Sequence, residues 1–359
     1  MESEKRIKVA HVLPELEEGG VERMVLLLAE AQSRSGMGVT VVSAGGRLVR
    51  QLPGAARHLT MPVHRKNPLT GLACAVFIAR FAREQGVDVL HAHSRVPGWI
   101  CYFARKFNPA LKFVYTAHAR LSANYGIWPL RRADAVISVS RNVRDHIRGH
   151  LPEHAPTPVI YNALPNRTVP WRGSRDATRK HLLLVGRLSE KKDPITVLEA
   201  LARVDRDDWL LDVLGDGPMM GEVEATIRRL GLEGGVRLQG YSDGVPQAVA
   251  DCDLFLFPSR EEGLPIALME ALVSGAPALA SDIPASRELV ADAFSPLPAG
   301  LLPPGDVEAW TAAIRGFLDG TFLPDLKCRI AIPSVEEMAS QISDLYVKLL
   351  SQKFGNFAD

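Results

Sequence analysis

The stretch LFLFPSREEGLPIALMEALVSGAPALA, residues 254–280, decides how this chain folds. Residues 254–258 are apolar without a break, which is how a strand covered on both faces reads. Residues 259–263 are polar and hold Glu262 and Gly263. Residues 264–274 have the length and composition of a helix, and residues 277–280 form a second short apolar run. A strand, a loop, a helix and a strand make one βαβ unit, and the crossover helix makes the two strands parallel.

The same alternation extends in both directions. Downstream of residue 178, strands are expected at 181–185, 210–214 and 236–239, with helices at 194–203, 221–230 and 245–250. Upstream, strands are expected at 8–13, 39–43, 87–91, 113–116, 135–139 and 159–161, with helices at 21–34 and 71–83. Between the two series, residues 165–178 hold Pro, Asn, Gly and Arg without periodicity and read as a linker. The pattern predicts an α/β chain of two doubly wound Rossmann-like domains facing a cleft. Residues 1–165 form the first, 166–178 the linker and 179–334 the second. In the tail, 335–359, Met338, Ile342, Leu345 and Leu349 share one helical face, which is expected to pack back on the first domain.

The 359 residues are 47% hydrophobic and 23% charged, a globular composition. The four cysteines are scattered with no Cys-x-x-Cys pair, which points away from a zinc knuckle or disulfide framework. The apolar runs are too short for a signal peptide or a membrane span, so a cytoplasmic chain is expected, at most peripheral at the inner face of the cytoplasmic membrane. Charge is unevenly shared. Residues 1–165 carry 22 Lys+Arg against 12 Asp+Glu, and the remainder 20 against 29. A basic first half suits an anionic surface.

Ligands of such sheets sit outside the carboxyl ends of the strands, so the loops there are where chemistry is sought. Gly19-Gly20 lies between the first strand and first helix, where bare backbone and a helix N-terminus favour a diphosphate. It lacks the Gly-x-Gly-x-x-Gly spacing, which argues against a dinucleotide oxidoreductase. Gly186-Arg187-Leu188, with Lys192 beyond, opens the second domain; two cations in one strand-to-helix loop can clamp a leaving diphosphate without a metal ion. Lys191 is expected to point elsewhere. Gly215, in the Gly215-Asp216-Gly217-Pro218 turn, lets backbone approach a nucleotide or simply makes the turn. In the stretch quoted first, the N–H groups of Leu264 and Ile266 are placed at a helix N-terminus, Pro265 having none to give. Glu262 is placed to accept from sugar hydroxyls. Glu270, about two turns into the helix, is placed to accept from a ribose diol.

Glu262 and Glu270 flank seven residues, and the run from Glu262 to Val290 resembles the signature of glycosyltransferase family 4. Gly19-Gly20-Val21-Glu22 resembles that family's first glycine loop, Asp88 to His93 its Asp-Val-x-His-x-His strand end, and Asn162 its residue entering the linker. Gly186-Arg187-Leu188 with Lys192 resembles its phosphate clamp, and Gly215 to Pro218 its Gly-x-Gly loop. The resemblance implies the GT-B fold and a retaining transferase. Asp193 stands where the family usually has Gly, and the loop after Ala280 has no glycine turn; both bear on loop geometry and donor choice.

The resemblance also implies that His118, after the strand at 113–116, contacts the donor sugar. The site expected is therefore His118, Arg187, Lys192 and Glu262 for catalysis. Gly19, Gly20, Gly186, Gly215, Gly263, Leu264, Pro265, Ile266 and Glu270 are expected to hold the donor. Asp251-Cys252-Asp253 precedes a strand, at the wrong end of the sheet for a metal-binding Asp-x-Asp, and neither a catalytic metal nor a cofactor is expected. The donor expected is a UDP-sugar first and a GDP-sugar second. A glycan or glycolipid is the acceptor, as in lipopolysaccharide or cell-surface polysaccharide synthesis; nucleic acid is not a partner. A non-hydrolysing sugar-nucleotide epimerase and a non-catalytic nucleotide-sugar-binding protein are the alternatives. In the helix at 71–83, Leu72, Ala75, Val76, Phe77 and Ala79 beside Arg80 and Arg83, with Arg65 and Lys66 before them, form either a contact with an anionic membrane or a buried packing face.

Overall fold

A computed structural model describes residues 6–17, 19–121, 125–151, 155–164, 168–174, 178–290 and 300–351. Parts of the linker (165–167 and 175–177) and the tail beyond residue 351 lie outside the described residues. The chain divides into two units. The first spans residues 1–165 and 332–359, and the second 166–331.

In the first unit the elements alternate: β1 (Lys8–Val12), α1 (Gly20–Arg34), β2 (Gly38–Ser43), β3 (Arg57–Thr60), α2 (Pro68–Gln85), β4 (Val89–Ala92), α3 (Arg95–Phe107), β5 (Lys112–Ala117), β6 (Ala135–Ser138) and α4 (Arg141–Ile147). The second unit runs β7 (Lys180–Val185), α5 (Pro194–Ala202), β8 (Trp209–Leu214), α6 (Met220–Leu230), β9 (Val236–Gly240), α7 (Val245–Asp251) and β10 (Leu254–Phe257). It continues with α8 (Ile266–Ser274), β11 (Ala278–Ser281), α9 (Pro284–Val290), β12 (Leu301–Leu302) and α10 (Val307–Leu318). The final helix, α11 (Val335–Ser351), returns to the first unit.

The two sheets have the same plan. Their orders are β3-β2-β1-β4-β5-β6 and β12-β11-β10-β7-β8-β9, and every pairing is parallel. Each is a doubly wound sheet whose strand order reverses between its first and fourth strands. In the second unit, Leu182, Leu184, Leu211, Val213, Leu254 and Leu256 point into a core closed by Trp310 and Ile314 of α10. In the first, Val9, Val39, Val41 and Val89 meet Met24, Val25 and Leu28 of α1. Helix α11 adds Met338, Ile342, Leu345, Tyr346 and Leu349 to that same core.

The structure adds helices α3, α4, α9 and α10 to those expected, and it departs from the expected elements elsewhere too. Residues 159–161 form no strand; only an isolated bridge joins Val159 to Ser138, because Pro158 cannot donate a ladder bond. Strands β3 and β12 are edge strands of four and two residues, too short to show a period. Helix α8 begins at Ile266 rather than residue 264, since Pro265 takes a non-helical ψ of 81° as its N-cap.

Candidate active site

The reversal points put β1 beside β4 in one sheet and β7 beside β10 in the other, and the loops after these four strands hold most of the predicted residues. In the second unit the β7 loop and the β10 loop are tied by three charge pairs. Lys191 Nζ donates to Glu261 at 2.9 Å, Lys192 pairs with Glu262, and Arg260 Nε donates to Asp193 Oδ2 at 2.7 Å. The amide of Arg260 also donates to the Lys191 carbonyl at 2.8 Å. Lys191 therefore points away from Lys192, as its neighbouring position predicts. The Lys192 and Glu262 side chains are only 26% and 12% exposed, so their attraction is weakly screened. The Lys192 ammonium also lies 5.6 Å from the Phe257 ring centroid, at the end of β10.

Asp193 explains how this loop dispenses with a glycine. Its φ of 47° is left-handed, and it is the one non-glycine residue with positive φ among the described residues. An Asp tolerates that conformation when its side chain is well bonded locally. Here it caps α5, accepting from the Thr196 hydroxyl at 2.7 Å and from Arg260. Gly186 is favoured by its φ of 153° and not by space, since a Cβ there would lie 3.7 Å from the stem of Lys192, in ordinary contact. Arg187 is exposed and has no ion-pair partner among the described residues.

Gly215 has a packing role in the loop layer. A Cβ on it would lie 2.0 Å from the Gly186 carbonyl oxygen, and one on Gly217 would lie 2.2 Å from that of Leu188. Both glycines let the β8 loop lie against the β7 loop, where Leu188 N–H donates to Asp216 O at 2.9 Å. The Ile266 amide is also already used: it donates to the Leu264 carbonyl at 3.0 Å, so the expectation of a free Ile266 donor is corrected. The following first-turn amides, Ala267 and Leu268, are those a nine-residue helix offers to an anion. Gly263, Leu264 and Pro265 are buried beneath that turn. Glu270 is the fifth residue of α8, about one turn in rather than two, because the helix starts later. Asp251 pairs with Arg172, and Asp253 accepts from the amides of Ser174 and His181. These carboxylates brace the start of β10.

In the first unit Gly19 is the N-cap of α1 at φ 153°, and Gly20 is the first helical residue. The β1 loop is gripped as the β7 loop is. Gly46, after β2, would carry a Cβ 2.3 Å from the Leu16 carbonyl oxygen.

His118, itself half-buried, ends a chain of imidazoles in which His11, His91 and His93 are buried. In register, His11 of β1 lies beside His91 of β4. Period two then puts His93 and His118, just past β4 and β5, on the same face as Thr116. His11 Nε2 meets Gln32 Oε1 at 2.8 Å, and His11 Nδ1 meets His93 Nε2 at 3.1 Å. His93 Nδ1 meets His118 Nε2 at 3.2 Å. His91 bridges the Tyr346 hydroxyl, at 2.5 Å, and the Thr116 hydroxyl, at 2.6 Å. Burial pushes all four imidazoles down, His11 to about 4, so they stay neutral at physiological pH. The nitrogens of His11, His91 and His93 lie within 4.8 Å of one another, close enough to consider a cation, but each ring already has hydrogen-bond partners.

Sequence reading missed His11, Gln32, Arg260 and Glu261. For Gln32 a signal existed: a polar residue on the buried face of α1, between Ala31 and Ser33.

Two family models match the chain. "Glycosyltransferase Family 4" matches residues 18–165 and "Glycosyl transferases group 1" matches residues 167–329. Among relatives, the chain is 22% identical to the Escherichia coli UDP-Gal:alpha-D-GlcNAc-diphosphoundecaprenol alpha-1,3-galactosyltransferase, over 97% of this chain and 98% of that one. It is 31% identical to an exopolysaccharide phosphotransferase of Streptomyces coelicolor, over 50% of this chain but 19% of that longer protein. Among solved structures, it is similar to an Anabaena protein crystallised with UDP and glucose, at a TM-score of 0.74 and 19% identity, covering 97% of this chain and 98% of that one. The chain belongs to glycosyltransferase family 4, and it is a glycosyltransferase with the two-domain GT-B fold.

Proposed function

We propose that this family 4 glycosyltransferase moves a hexose-type sugar from a UDP-sugar, with a GDP-sugar second, to a lipid-linked glycan acceptor of surface-polysaccharide synthesis, retaining the anomeric configuration. The observation that carries the donor reading is the tied pair of loops after β7 and β10, which holds Lys192 against Glu262 at the reversal point of the sheet. A diphosphate beside Arg187 and Lys192 takes over the lysine's charge and frees Glu262 to accept from sugar hydroxyls. Glu270 accepts from the ribose. The acceptor hydroxyl adds to the anomeric carbon on the face the diphosphate leaves. The sugar–phosphate bond breaks, and the acceptor's proton passes to the departing phosphate oxygen. Arg187 and Lys192 carry the charge that builds there, so no metal ion is needed.

The glycolipid acceptor is supported by the E. coli relative, whose name carries a diphosphoundecaprenol, and by one helix of the first unit. Helix α2 buries Cys74, Ala75, Ile78, Ala79 and Ala82 but exposes Leu69, Leu72, Val76 and Phe77. One face of this helix is thus a buried packing face, and the apolar side chains exposed on the other support the membrane reading. Phe103 and Phe107 of α3 are exposed as well, and Arg83 reaches the Phe107 carbonyl at 3.1 Å. With Arg65, Lys66, Arg80, Arg105 and Lys106 nearby in sequence, the surface suits an anionic lipid headgroup layer. No helix among the described residues is long and apolar enough to cross a membrane.

A thermal-shift panel of sugar nucleotides identifies the donor, since a ligand at one hundred times its Kd stabilises by about 2.7 kcal/mol. Transfer with the preferred donor is then run in excess EDTA, and the product anomer is read by NMR. An inverted product sinks the retaining mechanism, and turnover that only Mn²⁺ or Mg²⁺ restores sinks the metal-free one.

A further inference from the structure

His118 Nδ1 is sealed from solvent and meets no partner among the described residues. Whether that nitrogen is a donor or an acceptor follows from the far end of the imidazole chain. A neutral imidazole carries one N–H, so in a chain of neutral rings each hydrogen bond dictates the next. Gln32 turns its amide oxygen to His11, so His11 Nε2 holds the proton and Nδ1 accepts. His93 must then donate from Nε2 to His11 and accept at Nδ1. His118 in turn donates from Nε2 to His93, and its Nδ1 is left as a bare lone pair.

Gln32 would reverse all of this if its amide turned over, and helix α11 holds it. Ser343 donates its proton to Met37 Sδ at 3.3 Å, leaving its oxygen to receive the Gln32 Nε2 at 3.5 Å. The Tyr346 hydroxyl lies 2.5 Å from His91 Nδ1, and its oxygen also bonds Gln32. With the Tyr346 proton on His91, His91 passes its own Nε2–H to Thr116, so two hydroxyl oxygens face the Gln32 NH₂ and fix its orientation.

We infer that Gln32 is a positioning residue that acts through His11 and His93 to fix His118 as a hydrogen-bond acceptor, so that the ligand group His118 takes is a donor such as a sugar hydroxyl. The ligand half of this inference rests on the proposed donor reading; the tautomer half stands on the first unit alone. A fluorine or a hydrogen in place of that hydroxyl leaves the buried lone pair unmet, which makes His118 a filter for one hydroxyl of the sugar.

The test is histidine ¹⁵N NMR on the full chain at pH 7, with peaks assigned by single His→Gln variants. Protonated Nε2 and bare Nδ1 are expected at His11, His93 and His118. A protonated Nδ1 at His118, or loss of the chain's N–H peaks on adding stoichiometric Zn²⁺, overturns the inference. In Gln32→Met the acceptor at the head of the chain is gone, and mixed tautomers are expected at His93 and His118. There kcat falls on the order of tenfold, the effect of one hydrogen bond, with KM for the donor little changed. A Gln32→Met protein with unaltered tautomers and lowered kcat shows a packing role only and also overturns it. If that variant fails to fold, the wild-type spectrum decides. Absence of transfer with every sugar nucleotide would count against the functional reading while the tautomer spectrum still reports on Gln32.

Discussion

Asp193 shows what a single residue can conceal. In sequence it is a departure from the glycine the family usually has, and nothing in its neighbours announces a left-handed φ of 47°. The Thr196 and Arg260 contacts that make this conformation tenable come from three residues and sixty-seven residues away. Asp193→Ala keeps the strained backbone and loses both contacts, so it is expected to lower stability by about 2 kcal/mol. Asp193→Gly relieves the backbone and is expected to cost about half as much; urea unfolding measures both, and equal losses would mean the conformation carries no strain. Lys192 and Glu262 were legible because their spacing to the strand ends is itself a sequence pattern. Their pairing was not, since it joins loops seventy residues apart. Removing the ammonium in Lys192→Ala is expected to lower kcat about 10²-fold, with the loss confined to the chemical step if the lysine serves the departing phosphate. A change in donor KM alone would assign it to ground-state binding.

At the scale of elements, the long βαβ periods were readable and the edges were not. Residues 254–280 announce strand, helix and strand by composition alone, whereas β3 and β12 are recognised only by the strands they pair with. The loop contacts were equally hidden. In both units the loop after the second strand lies on the loop after the first through a glycine, Gly46 on Leu16 and Gly215 on Gly186. Within each unit by itself, these two loops pack together over the carboxyl ends of that unit's strands. Gly215→Ala forces a methyl into a carbonyl oxygen 2.0 Å away, in a backbone where φ is 144°. A loss of about 1–3 kcal/mol is expected, along with weakened donor binding as Arg187 and Lys192 shift. An unchanged melting temperature would show that the β7 loop has room to move. Helix α2 makes a separable claim. Leu72→Glu and Phe77→Glu touch its exposed face only, so stability should hold while co-sedimentation with anionic vesicles at low salt falls several-fold. Failure of the wild-type chain to co-sediment would remove the membrane contact altogether.

For the whole molecule, the two units share a sheet order but not a chemistry of their interiors. The first is basic in sequence and holds nine of the ten histidines, four of them joined in the hydrogen-bonded group; the second holds only His181. The alternation of strands and helices made the two sheets legible in advance. The amphipathic pattern of the tail likewise announced a helix expected to pack back on the first domain, and α11 adds its apolar face to that core. That asymmetry sets how the molecule should respond to acid. Above pH 6.5 the four imidazoles are neutral both folded and unfolded, so they add nothing to the pH dependence. Below it the unfolded chain takes up protons that the folded unit refuses, because burial holds these groups down, and stability falls as pH falls. For His11, held at about 4, the loss at pH 5 is about 2 kcal/mol, and its neighbours add to it. The first unit is therefore expected to open first on acidification. Hydrogen exchange followed peptide by peptide at pH 7.5 and pH 5 should show protection lost across β1, β4 and β5 while β7, β8 and β10 keep theirs. Equal loss in both units would mean the histidine chain is not what acid attacks, and would point instead to the carboxylate pairs of the second unit, whose strength also fades once Asp and Glu begin to protonate.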